Sequence, residues 1–300
     1  MKKLSLVVPA YNEAACIDRF VETIFGLGLD NTLEIVFVDD GSADDTLSRI
    51  KAAAVKDDRV RYVSFSRNFG KESALYAGLR HATGELVVTM DADLQHRPEV
   101  LKDMVHAIED EGYDCAAACR TDRSGEPALR SWLAHRFYAL MSRCSDVELK
   151  DGSMDFRMMT RQVVDVVLAL TESDRFTKGI YQWVGFRTKW IETENMERVA
   201  GETKWNLWKL FLYSVRGFFA FSTAPLQVAT ALGLGFCVLA FLYMVVGLFC
   251  GGCGGYRAIV CAVLLLGGLQ LFAIGVLGLY VAGVYREVKR RPVYVVKESK

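Results

Sequence analysis

The stretch Val87, Val88, Thr89, Met90, Asp91, Ala92, Asp93, Leu94, Gln95 sets an apolar, β-branched run directly against two carboxylates spaced i and i+2. Such a run predicts a buried strand. On an extended backbone alternate side chains share a face, so Asp91 and Asp93 are expected to aim at one point. Two hard oxygen donors there suit Mg²⁺ or Mn²⁺, and the ion in turn suits the phosphates of a ligand. A solvated turn after a strand has the same spacing. The surrounding chain decides between the two.

Around this stretch, apolar runs alternate with helical patterns. Leu4 to Val8, Leu33 to Val38, Val60 to Phe65 and the run before Asp91 read as strands, while Ala14 to Phe25, Ala43 to Val55 and Lys71 to Ala82 read as helices. Strands alternating with helices predict an α/β domain with parallel pairing and helices on both faces. Ligands in such sheets bind at the carboxyl ends of the strands. Those ends carry Pro9 to Glu13, Asp39 to Ser42 and Asp91 to Gln95, which are expected to converge on one cleft. A carboxylate there can accept from a base N–H or a ribose hydroxyl, and Tyr11 can stack on a base. The Gly-x-Gly-x-x-Gly fingerprint and the Walker phosphate loop are both missing after the first strand. Metal and side chains are left to hold the phosphates of a nucleoside diphosphate.

Charge is unevenly placed along the 300 residues, of which 24% are charged. Gly217 to Tyr256 and Ala258 to Tyr285 contain no Asp, Glu, Lys or Arg. About 20 apolar residues cross a bilayer as helix, which predicts two spans, near Leu226 to Phe249 and Ile259 to Val284. Core helices of a soluble domain would show a polar stripe, and none is present. Lys204, Lys209 and Arg216 precede the first span and Arg286, Lys289, Arg290 and Arg291 follow the second, against Arg257 between them. This asymmetry predicts that both chain ends, and with them the N-terminal domain, are cytoplasmic, and the expected location is the inner (plasma) membrane. Met1, Lys2 and Lys3 resemble a signal-peptide start, but Asn12 and Glu13 break the apolar segment, so export of this domain is not expected. Most of the eight cysteines read as small apolar residues of a reduced compartment, with Cys250 and Cys253 forming a C-x-x-C in the expected outer loop. His81, His96, His106 and His135 show no metal spacing and are expected at the surface.

The motifs carry a resemblance. Val8 to Glu13, Val38 to Ser42, Ser66 to Lys71 and Asp91 to Gln95 resemble the family 2 glycosyltransferases with a GT-A fold. Asp155, Phe156, Arg157, the run Arg198 to Trp205, and Phe221, Ser222 with Pro225, Leu226 are similar to the polyprenyl-phosphate glycosyltransferases, which include bactoprenol glucosyltransferases and dolichyl-phosphate mannose synthases. The similarity runs along essentially the whole chain. It implies a GT-A domain over residues 1–203, a juxtamembrane amphipathic helix over 204–224 and a two-helix transmembrane hairpin with a basic tail over 225–300.

By position, the resemblance implies that Pro9, Tyr11, Glu13, Asp39 and Asp40 line the nucleoside site, and that Asp91 and Asp93 hold Mg²⁺ or Mn²⁺ with Gln95 close by. Arg120 matches a basic donor-binding residue, and Arg198 and Lys204 match residues engaging phosphates of donor or acceptor. The implied reaction is inverting transfer of a hexose, with UDP-glucose favoured and GDP-mannose or a modified sugar as the alternative donor, to a polyprenyl phosphate such as undecaprenyl phosphate. Asp155 is the expected catalytic base, or else a group that orients the acceptor or pairs with Arg157. Two departures bear on the donor: His96, Arg97, Pro98, Glu99 stands where relatives often read Asp-Pro-Pro-Glu, and Asn195 where many have Arg. A processive synthase would carry Gln-x-x-Arg-Trp and more spans. A catalytically silent nucleotide-sugar-binding partner is the rival from another class. Gly267, Gly268, Gly275 and Gly278 permit close packing within a hairpin or between copies in a homo-oligomer. No nucleic acid partner is expected.

Overall fold

The computed structural model describes residues 2–28, 33–120, 150, 152–173, 175–193, 222, 224–250 and 256–300. Strands β1 (Leu4–Ala10), β2 (Leu33–Asp39), β3 (Val60–Phe65) and β4 (Leu86–Thr89) alternate with helices α1 (Ala14–Gly26), α2 (Thr46–Lys56) and α3 (Lys71–His81). Helix α4 (Val100–Glu109) and β5 (Cys115–Arg120) follow, then β6 (Ser153–Thr160), α5 (Arg161–Ala169), α6 (Thr177–Trp183) and β7 (Thr188–Thr193). The chain continues into two long helices, α7 (Ala224–Cys250) and α8 (Tyr256–Val288), and closes on β8 (Val296–Ser299).

All eight strands belong to one sheet, ordered β7-β5-β6-β4-β1-β2-β3-β8. The block β4-β1-β2-β3 is parallel, as alternation predicts, and its residues are almost wholly buried because helices cover both faces. On one face α1, α2 and α4 bury Phe20, Ile24, Ile50 and Met104 against Leu6, Phe37 and Val88. On the other, α3, α5 and α6 bury Leu79, Val164 and Ile180 against Val7 and Val87.

The expectation of purely parallel pairing is corrected at two strands. β6 runs antiparallel to both β4 and β5, and β8 runs antiparallel to β3. Asp155 and Arg157 interrupt the apolar pattern of β6, and β8 is Val-Lys-Glu-Ser on a sheet edge, where one face and one flank stay wet. Tyr294 fixes that edge by stacking on Phe65, ring centroids 4.9 Å apart, and the Lys51 and Glu298 side chains pair at 2.6 Å.

Among the described residues, one helical stretch is long and apolar enough to cross a membrane, Leu265–Val288, with mean hydropathy 2.0. It ends four residues beyond the expected Val284. Helix α7 covers the other expected span as 27 continuous residues and packs on α8, while the described apolar part that stands out in it, Ala224–Phe236, is short. The stretch expected as a juxtamembrane helix lies almost entirely outside the described residues, as does Cys253 of the C-x-x-C. Cys16, Cys115 and Cys119 are buried, in keeping with small apolar residues.

Candidate active site

The carboxyl ends of β1 to β4 open on the same side of the sheet, and the loops there are laced together. Asn12, at φ 52°, donates its backbone N–H to the Ser42 hydroxyl at 3.0 Å and accepts from the Ala43 N–H at 2.9 Å. Asp39 accepts from the Ser42 N–H at 3.1 Å and the Ser64 hydroxyl at 2.8 Å. The Asp40 carboxylate takes the N–H groups of Phe69 at 2.6 Å and Gly70 at 2.9 Å. Burial pushes the Asp40 carboxyl up, and those two donors oppose it. The β3–α3 loop is therefore hung from Asp40, and α3 starts at Lys71, facing the cleft.

Lys71 is the centre of the site. Its Nζ lies 2.7 Å from Asp91 Oδ1 and 2.6 Å from Asp155 Oδ2. The register explains why those carboxylates meet: Thr89 pairs with Arg157 on the antiparallel β6, so two residues onward from one and two back from the other put Asp91 beside Asp155. Thr89 pins this by donating its hydroxyl to the Asp155 carbonyl at 2.6 Å. Helix α6 adds Lys178, whose Nζ lies 3.6 Å from Asp155 Oδ1 and donates to the Ser153 carbonyl at 2.9 Å. Glu72 anchors that helix by accepting from the Thr177 N–H at 3.0 Å.

These contacts set the charges. Burial pushes the Asp155 carboxyl up, but the ammonium groups of Lys178 and Lys71 outweigh it and hold the pKa lowered to about 2. Asp91 is likewise raised by burial and lowered further by Lys71, ending well below the usual carboxylate range. Burial pushes the Lys71 ammonium down, and Asp155 and Asp91 outweigh it and hold it well above the usual lysine range. The cleft thus holds ionised carboxylates and an ammonium locked together.

The expected geometry of Asp91 and Asp93 needs correcting. β4 ends at Thr89, and residues 91–95 form a turn with Leu94 at φ 53° rather than an extended strand. Asp93 is buried and accepts the Gln95 N–H at 3.2 Å, whereas Asp91 faces Lys71. No group of three or more His, Cys, Asp or Glu fit to hold a metal is found among the described residues. The donor set of hard carboxylate oxygens still fits a small divalent ion that takes one or two carboxylates and completes its shell with phosphate and water.

The other expected residues fall as follows. Pro9 is the last residue but one of β1, Tyr11 is exposed just beyond that strand, and Glu13 caps the start of α1 with its N–H on the Thr46 hydroxyl at 2.8 Å. Arg120 ends β5, which two antiparallel neighbours make parallel to β4, so its backbone lies on the cleft side. Arg198 and Lys204 lie outside the described residues. Asp155 pairs with Lys71 and Lys178, not with Arg157, whose buried guanidinium sits 4.6 Å from the Tyr181 ring and 5.4 Å from that of Trp190. His96 is buried rather than at the surface: its ring stacks on Phe156 at 5.3 Å, and Nε2 lies 3.7 Å from Asp91, beyond hydrogen-bond length. Sequence reasoning gives Lys71 and Lys178 no role in the site, and His96 one only as part of a departure that bears on the donor. Lys71 directly follows the Asn-Phe-Gly loop, and that adjacency was the available signal.

A mixed sheet with its acidic cleft at the ends of β1, β2 and β4 defines a nucleotide-sugar transferase of the GT-A fold. The chain matches the family model described as glycosyl transferase family 2 over residues 5–168, from β1 through α5, and it belongs to that family. It is a glycosyltransferase. Relatives include the putative glycosyltransferase CsbB of Bacillus subtilis (strain 168), 40% identical over 99% of this chain and 92% of that protein. The prophage bactoprenol glucosyl transferase homolog of Escherichia coli (strain K12) is 41% identical over 99% of each chain. The bactoprenol glucosyl transferase of Shigella phage SfII is 43% identical over 99% of this chain and 98% of its own. Among solved structures, the mannosyltransferase PcManGT from Pyrobaculum calidifontis in complex with GDP-Man and Mn²⁺ superposes with a TM-score of 0.50 at 20% identity, covering 97% of this chain and 76% of that one, a likeness of fold.

Proposed function

We propose that this glycosyltransferase moves a glucosyl group from UDP-glucose to a polyprenyl phosphate such as undecaprenyl phosphate, with inversion, at the cytoplasmic face of the membrane that α7 and α8 span as a hairpin. The observation that carries the reading is collinearity: bactoprenol glucosyl transferases match 99% of the chain, the acidic cleft and the apolar helices together.

In this reading Pro9, Tyr11, Glu13, Asp39 and Asp40 wall the nucleoside end of the cleft, with Gln95 and Arg120 toward the diphosphate. Asp91 and Asp93 hold Mg²⁺ or Mn²⁺, which when bound neutralises charge on the leaving diphosphate. Lys71, released from Asp91, remains tethered to Asp155 and offers its ammonium to phosphate oxygens. Arg198 and Lys204 add cations on the lipid side. An acceptor phosphate oxygen attacks C1 from the face opposite the diphosphate, forming the new C1–O bond as the old one breaks and UDP leaves with the electron pair. The product is a β-linked glucosyl phosphate lipid from an α-linked donor.

The acceptor, with a second pKa near 6, is largely a dianion at neutral pH. A carboxylate at about 2 is a weak base. Both facts favour Asp155 as the group that orients Lys71 and the acceptor over Asp155 as proton acceptor.

The test incubates detergent-purified protein with undecaprenyl phosphate, Mg²⁺ or Mn²⁺ and a panel of labelled nucleotide sugars, with and without EDTA. Metal-dependent organic-phase label from UDP-glucose is the expected result. Label from GDP-mannose alone would reassign the donor, and donor binding without label from any sugar would favour a silent binding partner.

A further inference from the structure

A cavity of about 860 Å³ lies apart from the acidic cleft, where the second half of α3, the α5–α6 connection and the turn after α8 meet. Its cationic wall is Arg80, Arg290 and Arg291, with His81, Ser173 and Tyr294 beside them. Arg80 is nine residues along α3 from Lys71, about 13 Å of helix. The one carboxylate of the lining, Glu287, is already engaged by the Ser173 N–H at 2.7 Å and hydroxyl at 3.3 Å. Arg80 shares its guanidinium with the Tyr294 hydroxyl. The guanidinium groups of Arg290 and Arg291 have no partner among the described residues, although both line the cavity. Arg290, at φ 44°, turns the chain off the helix and toward the catalytic domain.

The cavity also has a fixed depth. The apolar stretch of α8 ends at Val288, two residues before Arg290. If Leu265–Val288 crosses the bilayer, the cavity opens at headgroup level, and the exposed flank of Val281, Val284 and Val288 runs from it into the hydrocarbon. A cationic pocket at that depth recognises a phosphate oxyanion, and the apolar flank beside it favours one carrying acyl chains over a free anion.

We infer that this cavity is a binding site for the phosphate of an anionic glycerophospholipid, separate from the site where the sugar is transferred. The headgroup bridges the end of α8 to α3, with Arg290 and Arg291 on the phosphate and Ser173 and Tyr294 within the same wall. The inference rests on the membrane reading of α8 and not on the choice of donor sugar.

The experiment follows thermal unfolding of the full-length protein in a zwitterionic detergent against dioctanoylphosphatidylglycerol, dioctanoylphosphatidylcholine and inorganic phosphate. Saturable stabilisation by the phosphatidylglycerol alone is expected. The Arg290→Asn/Arg291→Gln variant, in which asparagine tolerates the positive φ, is expected to weaken the apparent affinity by about tenfold or more. Arg286→Gln/Lys289→Gln removes as much charge from the same helix end outside the cavity, and is expected to keep the wild-type affinity. Equal stabilisation by phosphatidylcholine, equal weakening in both double variants, or saturation by inorganic phosphate alone would each overturn the inference. Arg291→Gln, at an exposed position, serves if the double variant does not fold, and wild-type affinity in that variant would also count against the site. Sugar transfer is assayed in parallel, so a wrong donor assignment leaves this result intact.

Discussion

Lys71 donates to Asp155 across 84 positions of sequence, Nζ to Oδ2 2.6 Å, while the same ammonium rests 2.7 Å from Asp91. One cation therefore answers two carboxylates that neighbouring antiparallel strands bring together. Lys71→Met is expected to lower kcat/KM by about 100-fold, the scale for losing one preorganised donor aimed at developing charge. It is also expected to raise the affinity of the nucleotide-free protein for Mn²⁺, because Asp91 loses its competing cation. Mn²⁺ binding followed by electron paramagnetic resonance checks the second effect, and unchanged affinity would show that Lys71 does not compete with the ion.

Asp155 is ionised at neutral pH, since the ammonium groups of Lys178 and Lys71 outweigh burial and hold its pKa lowered to about 2. The pH profile of kcat/KM is therefore expected to rise through about pH 6 with the second ionisation of the acceptor phosphate. No separate limb should belong to Asp155. Comparing wild type with Asp155→Asn decides this: the variant should lose rate at every pH without moving the midpoint, and a displaced midpoint would make Asp155 the titrating base.

Gly41 sits at φ 66°, and a Cβ there would lie 2.4 Å from the backbone carbon of Arg67. Gly41→Ala is expected to push the β3–α3 loop off Asp40 and with it the start of α3. Donor affinity, measured by calorimetry with the nucleotide diphosphate, should fall at least as far as it does in Asp40→Asn.

Glu34 is buried on β2 beside Ser5 of β1 and takes the hydroxyls of Ser5 at 2.5 Å and Thr83 at 2.8 Å, the Thr83 N–H at 2.7 Å, and the ammonium of Lys3 at 3.3 Å. Burial pushes its carboxyl up, but these partners prevail and lower it from 4.5 to about 2. A depressed folded-state pKa stabilises above the unfolded value and loses that contribution as pH falls from about 4.5 toward 2, on the order of 3 kcal/mol in all. Glu34→Ala is expected to lower the unfolding midpoint at pH 7 and to flatten its decline with acid; an unchanged acid limb would remove Glu34 as its cause.

Tyr294 stacks on Phe65 and meets Tyr76 edge-on at 6.3 Å. Tyr294→Ala is expected to cost about 2 kcal/mol, less than a fully buried aromatic because the ring is half-buried. Loss of protection in β3 and β8 amides by hydrogen exchange should localise the effect, and protection left intact would mean that β8 holds without the stack.

Much of the fold was legible because the parallel block is apolar on both faces: β3 was read to its observed bounds, and β1 and β2 to within two residues at the carboxyl end. Asp91 was found because an abrupt change from Val and Thr to Asp marks a strand end. β6 and β8 were hidden by the charges they carry. The sequence leaves Lys71 as one residue of the Ser66 to Lys71 motif, since only the register of β6 against β4 shows that a residue near position 155 stands beside one near 91. His96 was misplaced at the surface, because histidine in a polar turn carries no signal of the aromatic ring, Phe156, that covers it.

The antiparallel pairing of β8 with β3 has a consequence for biogenesis. During translation Phe65 leaves the ribosome long before Val296, its partner, and the apolar helices are made in between. Until then the β3 edge presents unpaired N–H and C=O groups, an invitation to association with other strands. The sheet is thus completed only after α8 has been synthesised, so its last strand closes an edge whose other strands were all made before the apolar helices.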